Sequence, residues 1–321
     1  MVKSKKTIRI ACLGTPSDYG TSLVPLLIHS LGYKISWVRP VLADLLIYGS
    51  FYDVTAPRLR WLPRPWRKRA GHWVDLVENE LSKRKLPPVT LFHTAENLRH
   101  DHIKADYSIS HDLNVQSNRH FRLPYWMEVI DWSHEGVIGN ANPRFGSLLN
   151  LELMNRPLGN SFLERSRKAI FITSHMREPK LSSYLFLREC IAIDGMGPYF
   201  DENIKDHNKS RFLKREVLSK YAINLCPENG FYPGYVTEKV PDAFAAGCLP
   251  VTYVSPNISS DFNINAFINI ATINKAEFKE VFLAKASFEN YFKSYCDEAL
   301  FKKTPSIHGL VDFVKKILNN I

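Results

Sequence analysis

One polar loop between apolar segments carries residue types suited to holding a phosphorylated ligand. Residues 221–226 form an apolar run that predicts a strand, and the Glu-Asn-Gly sequence of residues 228–230 follows it. A helix predicted to open at Tyr235 would offer N–H groups and a partial charge of about +0.5 to a diphosphate. A second apolar run at 249–254 completes a strand, loop, helix and strand. In α/β folds, ligands bind at the carboxyl ends of such strands.

Two charged residues near the start of that helix extend this chemistry. A cation at Lys239 gains nothing from the helix dipole, so an anionic ligand would explain its presence. Glu238 can hydrogen-bond sugar hydroxyls or face positive charge that develops at an anomeric carbon. The competing interpretation makes Glu238 an ordinary first-turn residue and Lys239 a solvated side chain. Spacing alone leaves both interpretations open.

The same residues resemble the donor-binding motif of the α1,3/4-fucosyltransferases, glycosyltransferase family 10, bacterial type. The matching segments are Glu228-Asn229, Tyr235-Val236-Thr237-Glu238-Lys239 and the Gly-Cys-Leu-Pro-Val run at 247–251. The resemblance implies an α/β fold of the GT-B type, with two Rossmann-like domains facing a cleft. It also implies inverting transfer from GDP-fucose without an essential metal, and the chain contains no D-x-D triplet. The donor-binding residues so implied are Glu228, Asn229, Tyr235, Val236, Thr237 and Lys239, with Glu238 in a catalytic role.

A second matching segment lies upstream and suggests the general base. Residues 91–97 (Leu-Phe-His-Thr-Ala-Glu-Asn) resemble the F-Y-T-G-E-N segment of bacterial family members, whose Glu is the proposed base. An attacking acceptor hydroxyl needs a carboxylate within hydrogen-bond reach, which Glu96 would supply. The alternative is that Glu96 caps the next turn. His93 stands where the family often has Tyr, and Ala95 where it has Gly, so acceptor contacts at His93 would differ.

Aromatic residues further along are candidates for stacking on the acceptor sugar. Residues 119–126 (Arg-His-Phe-Arg-Leu-Pro-Tyr-Trp) are similar to a family segment in which two Arg precede a Pro and aromatic residues. Tyr125 and Trp126 are therefore predicted acceptor-binding residues. The alternative is that both belong to the hydrophobic core.

A third segment bears on the charge of the donor diphosphate. Residues 172–180 (Ile-Thr-Ser-His-Met-Arg-Glu-Pro-Lys) resemble the S-N strand end of the family and its following loop, which places Ser174 among the donor-binding residues. The family carries an Arg in that loop, and Leu181 occupies the equivalent position here. Arg177 or Lys180 can supply the charge from a neighbouring position. Either side chain can equally be ordinary surface charge.

The elements that position these residues follow an alternating pattern typical of helix-covered parallel sheets. The apolar runs predict strands at residues 8–13, 34–38, 44–48, 89–93, 107–110, 169–173, 190–194, 221–226 and 249–254. Helical periodicity predicts helices at residues 23–31, 181–189, 210–219, 236–246, 275–291 and 309–319.

The chain is long enough for two domains. Residues 134–147 are rich in Gly, Asn and Pro, so the connection is placed there or shortly after. The prediction is an N-terminal acceptor-binding domain at 1–150 and a C-terminal GDP-sugar-binding domain at 151–321. The last helix is allowed to pack back on the N-terminal domain.

Composition limits the partners and the compartment. A net charge of +10 over 321 residues indicates an anionic binding partner such as nucleic acid, lipid headgroups or a phosphorylated small molecule. Five cysteines are far apart and include no C-x-x-C, which predicts a reducing compartment and no zinc site. No run of roughly 20 apolar residues occurs, so the expected location is cytoplasmic, soluble or peripheral on the inner face of the membrane.

Residues 58–69 form a basic aromatic segment with six cations and two Trp. Interleaved Trp and Arg suit an anionic membrane interface, and the segment can equally be plain solvated surface. Nucleic-acid binding is a third interpretation, without a recognised signature to accompany it. The expected partners are a GDP-sugar donor and a glycan acceptor, by family analogy a bacterial surface glycan such as lipopolysaccharide, and no nucleic acid. The alternatives are another GDP-deoxysugar donor or a basic nucleic-acid-binding protein.

Overall fold

The computed structural model describes residues 6–52, 80–140, 148–201, 214–283 and 285–321. The basic aromatic segment at 58–69 lies outside these residues, and its interpretation stays a prediction. The described residues divide into two compact units. The first unit is drawn from Met1–Leu123, Trp132–Asn140 and Ile307–Ile321, and the second from Pro124–Asp131 and Ala141–Ser306.

The first unit is built on a parallel sheet of six strands in the order β2-β1-β3-β4-β5-β6. Its strands are β1 (Thr7–Leu13), β2 (Lys34–Trp37), β3 (Leu45–Gly49), β4 (Val89–His93), β5 (Tyr107–Ser110) and β6 (His120–Arg122). The inner strands are nearly continuous apolar runs because both faces of the sheet are covered. Helix α1 (Leu23–Ser30) packs four buried apolar residues, Leu23, Val24, Leu27 and Ile28, into this core.

The second unit is built on a parallel sheet of five strands in the order β11-β10-β9-β7-β8. Its strands are β7 (Ser166–Ile172), β8 (Ile193–Met196), β9 (Tyr221–Leu225), β10 (Leu249–Thr252) and β11 (Ile268–Asn269). Its helices with defined bounds are α2 (Leu151–Asn155), α3 (Lys180–Arg188), α4 (Lys239–Ala245), α5 (Lys275–Leu283) and α6 (Lys285–Cys296).

The C-terminal helix α7 (His308–Leu318) belongs to the first unit. Its apolar stripe recurs every three or four residues, which buries one face. Phe313 lies edge-on to Tyr107, with 5.8 Å between the ring centroids, and 5.6 Å from Phe121. The last residues of the chain therefore complete the core of the unit that begins the chain.

Strand and helix positions mostly agree with the sequence pattern, and the exceptions have local causes. The strands predicted at 89–93 and 107–110 are confirmed residue for residue. The strand predicted at 190–194 begins only at Ile193, because the N–H groups of Cys190 and Ile191 donate to the Leu187 carbonyl and finish helix α3. The short strands β6 and β11 carry too few residues to show a period and were missed. The single helix predicted at 275–291 is the pair α5 and α6.

Two loops meet tightly at the carboxyl edge of the first sheet. A methyl group on Gly49, the last residue of β3, would lie 2.5 Å from the Gly14 carbonyl oxygen and 2.7 Å from backbone atoms of Thr15. Gly14 itself has a φ of +68°, where an L side chain is strained. The contact requires glycine because backbone atoms on both sides leave no room for a side chain.

We expect Gly49→Ala to lower the free energy of unfolding by about 2–3 kcal/mol, because the methyl group must push backbone apart. Gly20→Ala is the matched control, since its methyl group would meet the Trp37 ring at an ordinary 3.4 Å. Urea unfolding followed by circular dichroism measures both. Equal midpoints for the two variants would contradict the close packing.

Candidate functional site

The second sheet has one place where the strand order reverses direction. Strands β7 and β9 are neighbours, and the sheet continues outward from β7 to β8 and from β9 to β10. Loops at the carboxyl ends of two such strands leave in opposite directions, which opens a crevice where α/β proteins bind ligands. The loop after β7 carries Ser174, Arg177 and Lys180, and the loop after β9 carries Glu228 and Asn229. The topology thus brings two of the predicted motifs to one edge.

Glu228 is a fully buried anion at this edge, with 0% of its surface exposed. Its carboxylate accepts a hydrogen bond from the Thr237 backbone N–H at 2.7 Å and from the Thr237 hydroxyl at 2.8 Å. Lys239 Nζ donates to the same carboxylate at 2.8 Å and to the Thr237 hydroxyl oxygen at 2.6 Å. A buried carboxylate is stable only when it is paired and hydrogen-bonded, and these groups meet that requirement.

The structure corrects the predicted start of the helix that follows. The helix begins at Lys239 and not at Tyr235, with Glu238 as its N-terminal flanking residue. Glu228 captures the Thr237 N–H, and the Tyr235 N–H donates to the Tyr232 carbonyl, so residues 235–237 take a loop conformation. The N–H groups of Tyr235 and Thr237 are therefore already used within the protein and are not free to bind a diphosphate. The side chains of Tyr235 and Val236 are buried.

Glu238 and Lys239 influence each other electrostatically. Burial works to raise the pKa of Glu238, but Lys239 and Lys214 more than offset it and lower that pKa to about 2. Burial alone would lower the pKa of Lys239. The negative charges of Glu228 and Glu238 outweigh the effect of burial and raise that pKa above its usual range. Both residues are therefore charged at neutral pH. Glu238 as a whole residue is half-buried.

Lys180 is a second cation at the same edge, and it is buried. It is the first residue of α3, is 6% exposed, and donates to the Thr173 hydroxyl at 3.2 Å. Its Nζ also lies 3.3 Å from His175 Nε2. Burial, with a further contribution from Lys239, lowers the pKa of Lys180 to about 8. Burial and the charges of Lys180 and Arg177 lower the pKa of His175 as well.

The remaining predicted donor residues reach solvent. Ser174, Arg177 and Asn229 are exposed, and Leu181, at the position of the family Arg, is 38% exposed. They can contact a ligand without rearrangement of the core. Direct donor contact by these residues, and by the buried Glu228, Tyr235, Val236 and Thr237, stays a prediction.

Glu96 lies in the loop that follows β4 in the first unit. The Thr94 N–H donates to the Ile109 carbonyl at 3.0 Å, and the Glu96 N–H donates to the Thr94 hydroxyl at 3.1 Å. These bonds fix the turn, while the Glu96 side chain is exposed. The Glu96 carbonyl accepts from the Leu98 N–H at 2.7 Å, so the backbone of Glu96 takes part in the next turn, and the capping alternative stays open. Its role as base stays a prediction.

His93 is less accessible than an acceptor-binding residue should be. It is 7% exposed, and its Nδ1 lies 2.7 Å from the Tyr19 hydroxyl. The two rings also meet edge-on at 5.6 Å between centroids. His93 is thus an inner residue that positions Tyr19 at the carboxyl edge.

Trp126 is in the core of the second unit, which corrects its predicted role as a stacking surface. Its ring is 3% exposed and lies 5.3 Å from Phe262 and 5.2 Å from Phe301 between centroids. Its indole N–H donates to an Asp261 carboxylate oxygen at 3.2 Å. A ring with only 3% of its surface exposed is not open to stacking by a sugar. Tyr125 is half-buried, and its role stays a prediction.

Sequence reasoning missed three residues that shape these edges. Thr173 and His175 hold Lys180, and Tyr19 holds His93. Thr173 and His175 could have been predicted from the sequence, since polar residues directly after an apolar strand face the ligand edge of a parallel sheet. The role of Tyr19 could not, because its partner His93 is 74 residues away along the chain.

The described ranges show neither a metal-site arrangement nor a membrane-spanning helix. No group of three or more His, Cys, Asp or Glu residues there has the arrangement of a metal site. No helix in those ranges is both long enough and apolar enough to span a bilayer.

The second unit matches a known protein family. The model described as glycosyltransferase family 10 (fucosyltransferase) C-term matches residues 162–299. The alpha-(1,3)-fucosyltransferase FucT of Helicobacter pylori is 26% identical over 258 residues, which are 72% of this chain and 53% of that relative. The chain therefore spans about half the length of this curated relative. The resemblance to glycosyltransferase family 10 is confirmed.

Solved structures share the fold. A crystal structure of an alpha1,3-fucosyltransferase aligns with a TM-score of 0.65 at 21% identity, covering 100% of this chain and 92% of that one. The corresponding structure with GDP-fucose aligns with a TM-score of 0.65 at 20% identity, covering 100% and 93%. Together with the two parallel sheets, these similarities confirm the GT-B fold class.

We expect Glu228→Ala to lower the free energy of unfolding by about 3–5 kcal/mol, because it leaves the Lys239 charge without its buried partner. Glu152→Ala is the matched control: this exposed carboxylate pairs with Arg156 at 3.3 Å on the surface of α2. Its loss should cost about 1 kcal/mol or less. Urea unfolding measures both, and similar costs would show that the Glu228 pair does not hold the loop.

Proposed function

We propose that the chain is an inverting α1,3/4-fucosyltransferase that transfers fucose from GDP-fucose to a hydroxyl of a glycan. The observation that carries the proposal is a pair of cations, Lys180 and Lys239. They lie at the carboxyl ends of the neighbouring strands β7 and β9, here called the β7/β9 edge, in a unit that matches glycosyltransferase family 10. A diphosphate is the part of a nucleotide sugar that such charge recognises. The relative's name and the GDP-fucose complex of a protein with the same fold support fucose as the sugar.

The donor is held chiefly by the second unit in this proposal. Lys239 is fixed by Glu228 and Thr237, so its charge is already in place before the donor binds. Such preorganised charge stabilises the negative charge that builds up on the leaving diphosphate. Asn229 and Ser174 are exposed in the loops after β9 and β7, and in this proposal they supply polar contacts to the donor. Glu238 stays ionised at neutral pH and can face the positive charge that develops at C1 of the sugar.

The reaction forms one bond and breaks one. The acceptor oxygen attacks C1 from the face opposite GDP, and the C1–oxygen bond to the diphosphate breaks with its electron pair going to GDP. Glu96 takes the proton from the acceptor hydroxyl as the new bond forms. A single displacement of this kind inverts the configuration at C1. The exposed carboxylate of Glu96 meets the first requirement for a base, which is access to the substrate.

The acceptor is proposed by family analogy to be a bacterial surface glycan such as a lipopolysaccharide chain. A cytoplasmic enzyme held at the inner face of the membrane by the basic residues 58–69 would meet a lipid-linked acceptor there. The alternative donor for the same chemistry is another GDP-deoxysugar, since contacts to the diphosphate recognise the nucleotide and not the sugar. A panel of nucleotide sugars with product linkage determined by NMR distinguishes the two donors and the position of the linkage.

We expect Glu96→Gln to lower kcat by about two to four orders of magnitude, because the amide cannot accept the acceptor proton. GDP affinity should be unchanged, since the donor contacts lie in other loops. Asp101→Asn is the matched control, an exposed carboxylate of the same unit whose partner Arg99 is 2.9 Å away.

Transfer assays with GDP-fucose and calorimetric titration with GDP provide the two readouts. Near-normal turnover of Glu96→Gln would remove Glu96 from the role of base. Salt-dependent binding of the wild-type protein to nucleic acid, with no affinity for GDP, would contradict the proposed function itself.

A further inference from the structure

We propose that Lys180, and not Arg177, is the cation that replaces the missing Arg of the family at the donor diphosphate, and that it takes up a proton when GDP binds. The inference rests on the proposed function, because it assigns the diphosphate to the β7/β9 edge. It goes further in predicting that nucleotide binding is coupled to a protonation step. Release of the nucleotide product then returns the proton to solvent.

The position of Lys180 is the first support. Its side chain is buried, and its Nζ has two fixed neighbours, the Thr173 hydroxyl and His175 Nε2. Both belong to the loop directly after β7, at the edge where the strand order reverses. Neither neighbour carries a negative charge. Within the described ranges, no carboxylate forms an ion pair with Lys180, so its charge is not neutralised by direct contact.

The other two cations differ from Lys180 in this respect. Lys239 already donates to the buried Glu228 carboxylate at 2.8 Å. Arg177 is exposed, so solvent screens its charge. A buried cation without an anionic partner gains most from an incoming anion, because water no longer solvates it.

The groups that face Lys180 come from three segments. His175 lies in its own loop, Glu238 and Lys239 lie at the start of α4, and Glu228 lies after β9. Burial and Lys239 lower the pKa of Lys180, while Glu228 and Glu238 raise it, and the result is about 8. A fraction of Lys180 is therefore neutral just above physiological pH, before any ligand is present.

His175 adds a second observation. When Lys180 Nζ donates to His175 Nε2, the neutral imidazole carries its own proton on Nδ1. This Nδ1 is buried and has no hydrogen-bond partner among the described residues. The N–H group at His175 Nδ1 is thus a hydrogen-bond donor that the described residues leave without an acceptor, next to the buried Lys180. Such a donor is expected in a site that binds the acceptor oxygens of a ligand.

The direction of the coupling follows from the charges. A diphosphate favours the charged form of Lys180, so its pKa is higher in the complex than in the unliganded protein. Binding is therefore independent of pH below about 8, where Lys180 is already protonated, and weakens as the pH rises above 8. GDP does not supply this effect, because the terminal phosphate of a nucleotide loses its last proton near pH 6.

The experiment is calorimetric titration of the whole protein with GDP at pH 8.5, in two buffers with different ionisation enthalpies. The difference between the observed enthalpies gives the number of protons taken up. We expect about 0.8 proton per GDP at pH 8.5 and about 0.1 at pH 7.0, from a pKa of about 8 in the unliganded protein. The dissociation constant should rise about fourfold between these two pH values.

Variants assign the proton. Lys180→Arg keeps the charge but cannot titrate in this range, so it should bind GDP with almost no proton uptake at pH 8.5. Lys180→Met removes the charge, so it should bind about ten- to a hundredfold more weakly, with no change in affinity between pH 7.0 and 8.5. Arg177→Gln tests the other candidate cation of the loop: because Arg does not titrate in this range, the variant should keep the proton uptake of the wild-type protein.

The outcomes separate the two proposals. Binding of GDP by the wild-type protein with no proton uptake at pH 8.5 would overturn the inference and leave the proposed function standing. Equal uptake in Lys180→Arg and wild type would overturn it too, because another group would carry the proton. No binding of GDP by the wild-type protein would instead overturn the proposed function. The wild-type measurement is decisive even if a substitution at this buried position prevents folding.

Discussion

The Glu228 carboxylate is buried without contact to solvent, and it must therefore find all its partners within the protein. Thr237 and Lys239 provide them, through one backbone N–H, one hydroxyl and one ammonium group. These bonds connect the loop after β9 to the first residue of α4. The shape of the loop between them, and the point at which the helix starts, both follow from this one buried charge.

The same constraint sorts the cations of the site into two kinds. Lys239 is paired with Glu228, which raises the pKa of the lysine and holds its positive charge in position. Lys180 has only neutral partners, and its pKa falls. One edge of the sheet therefore holds a fixed cation beside a titrating one. Lys239 stays charged, whereas the charge of Lys180 depends on pH and on the ligand. This combination suits a ligand that must be bound firmly and later released.

Sequence reasoning was most successful where a pattern reflects local structure. The apolar runs predicted β4 and β5 residue for residue, and the strand, loop, helix and strand around residues 221–254 were found in that order. It was wrong about the opening of α4 because a side chain nine residues earlier captures the Thr237 N–H. It was wrong about Trp126 because its partner Asp261 lies 135 residues away. Motif position indicated which residues are near the ligand edge, but not which of them face inward.

A crystal structure of the protein with GDP tests most directly whether a diphosphate lies between the ends of β7 and β9. We predict diphosphate oxygens within hydrogen-bond distance of Lys180 Nζ, with the Lys239–Glu228 pair unbroken. GDP bound elsewhere, with Lys180 still held only by Thr173 and His175, would contradict the account.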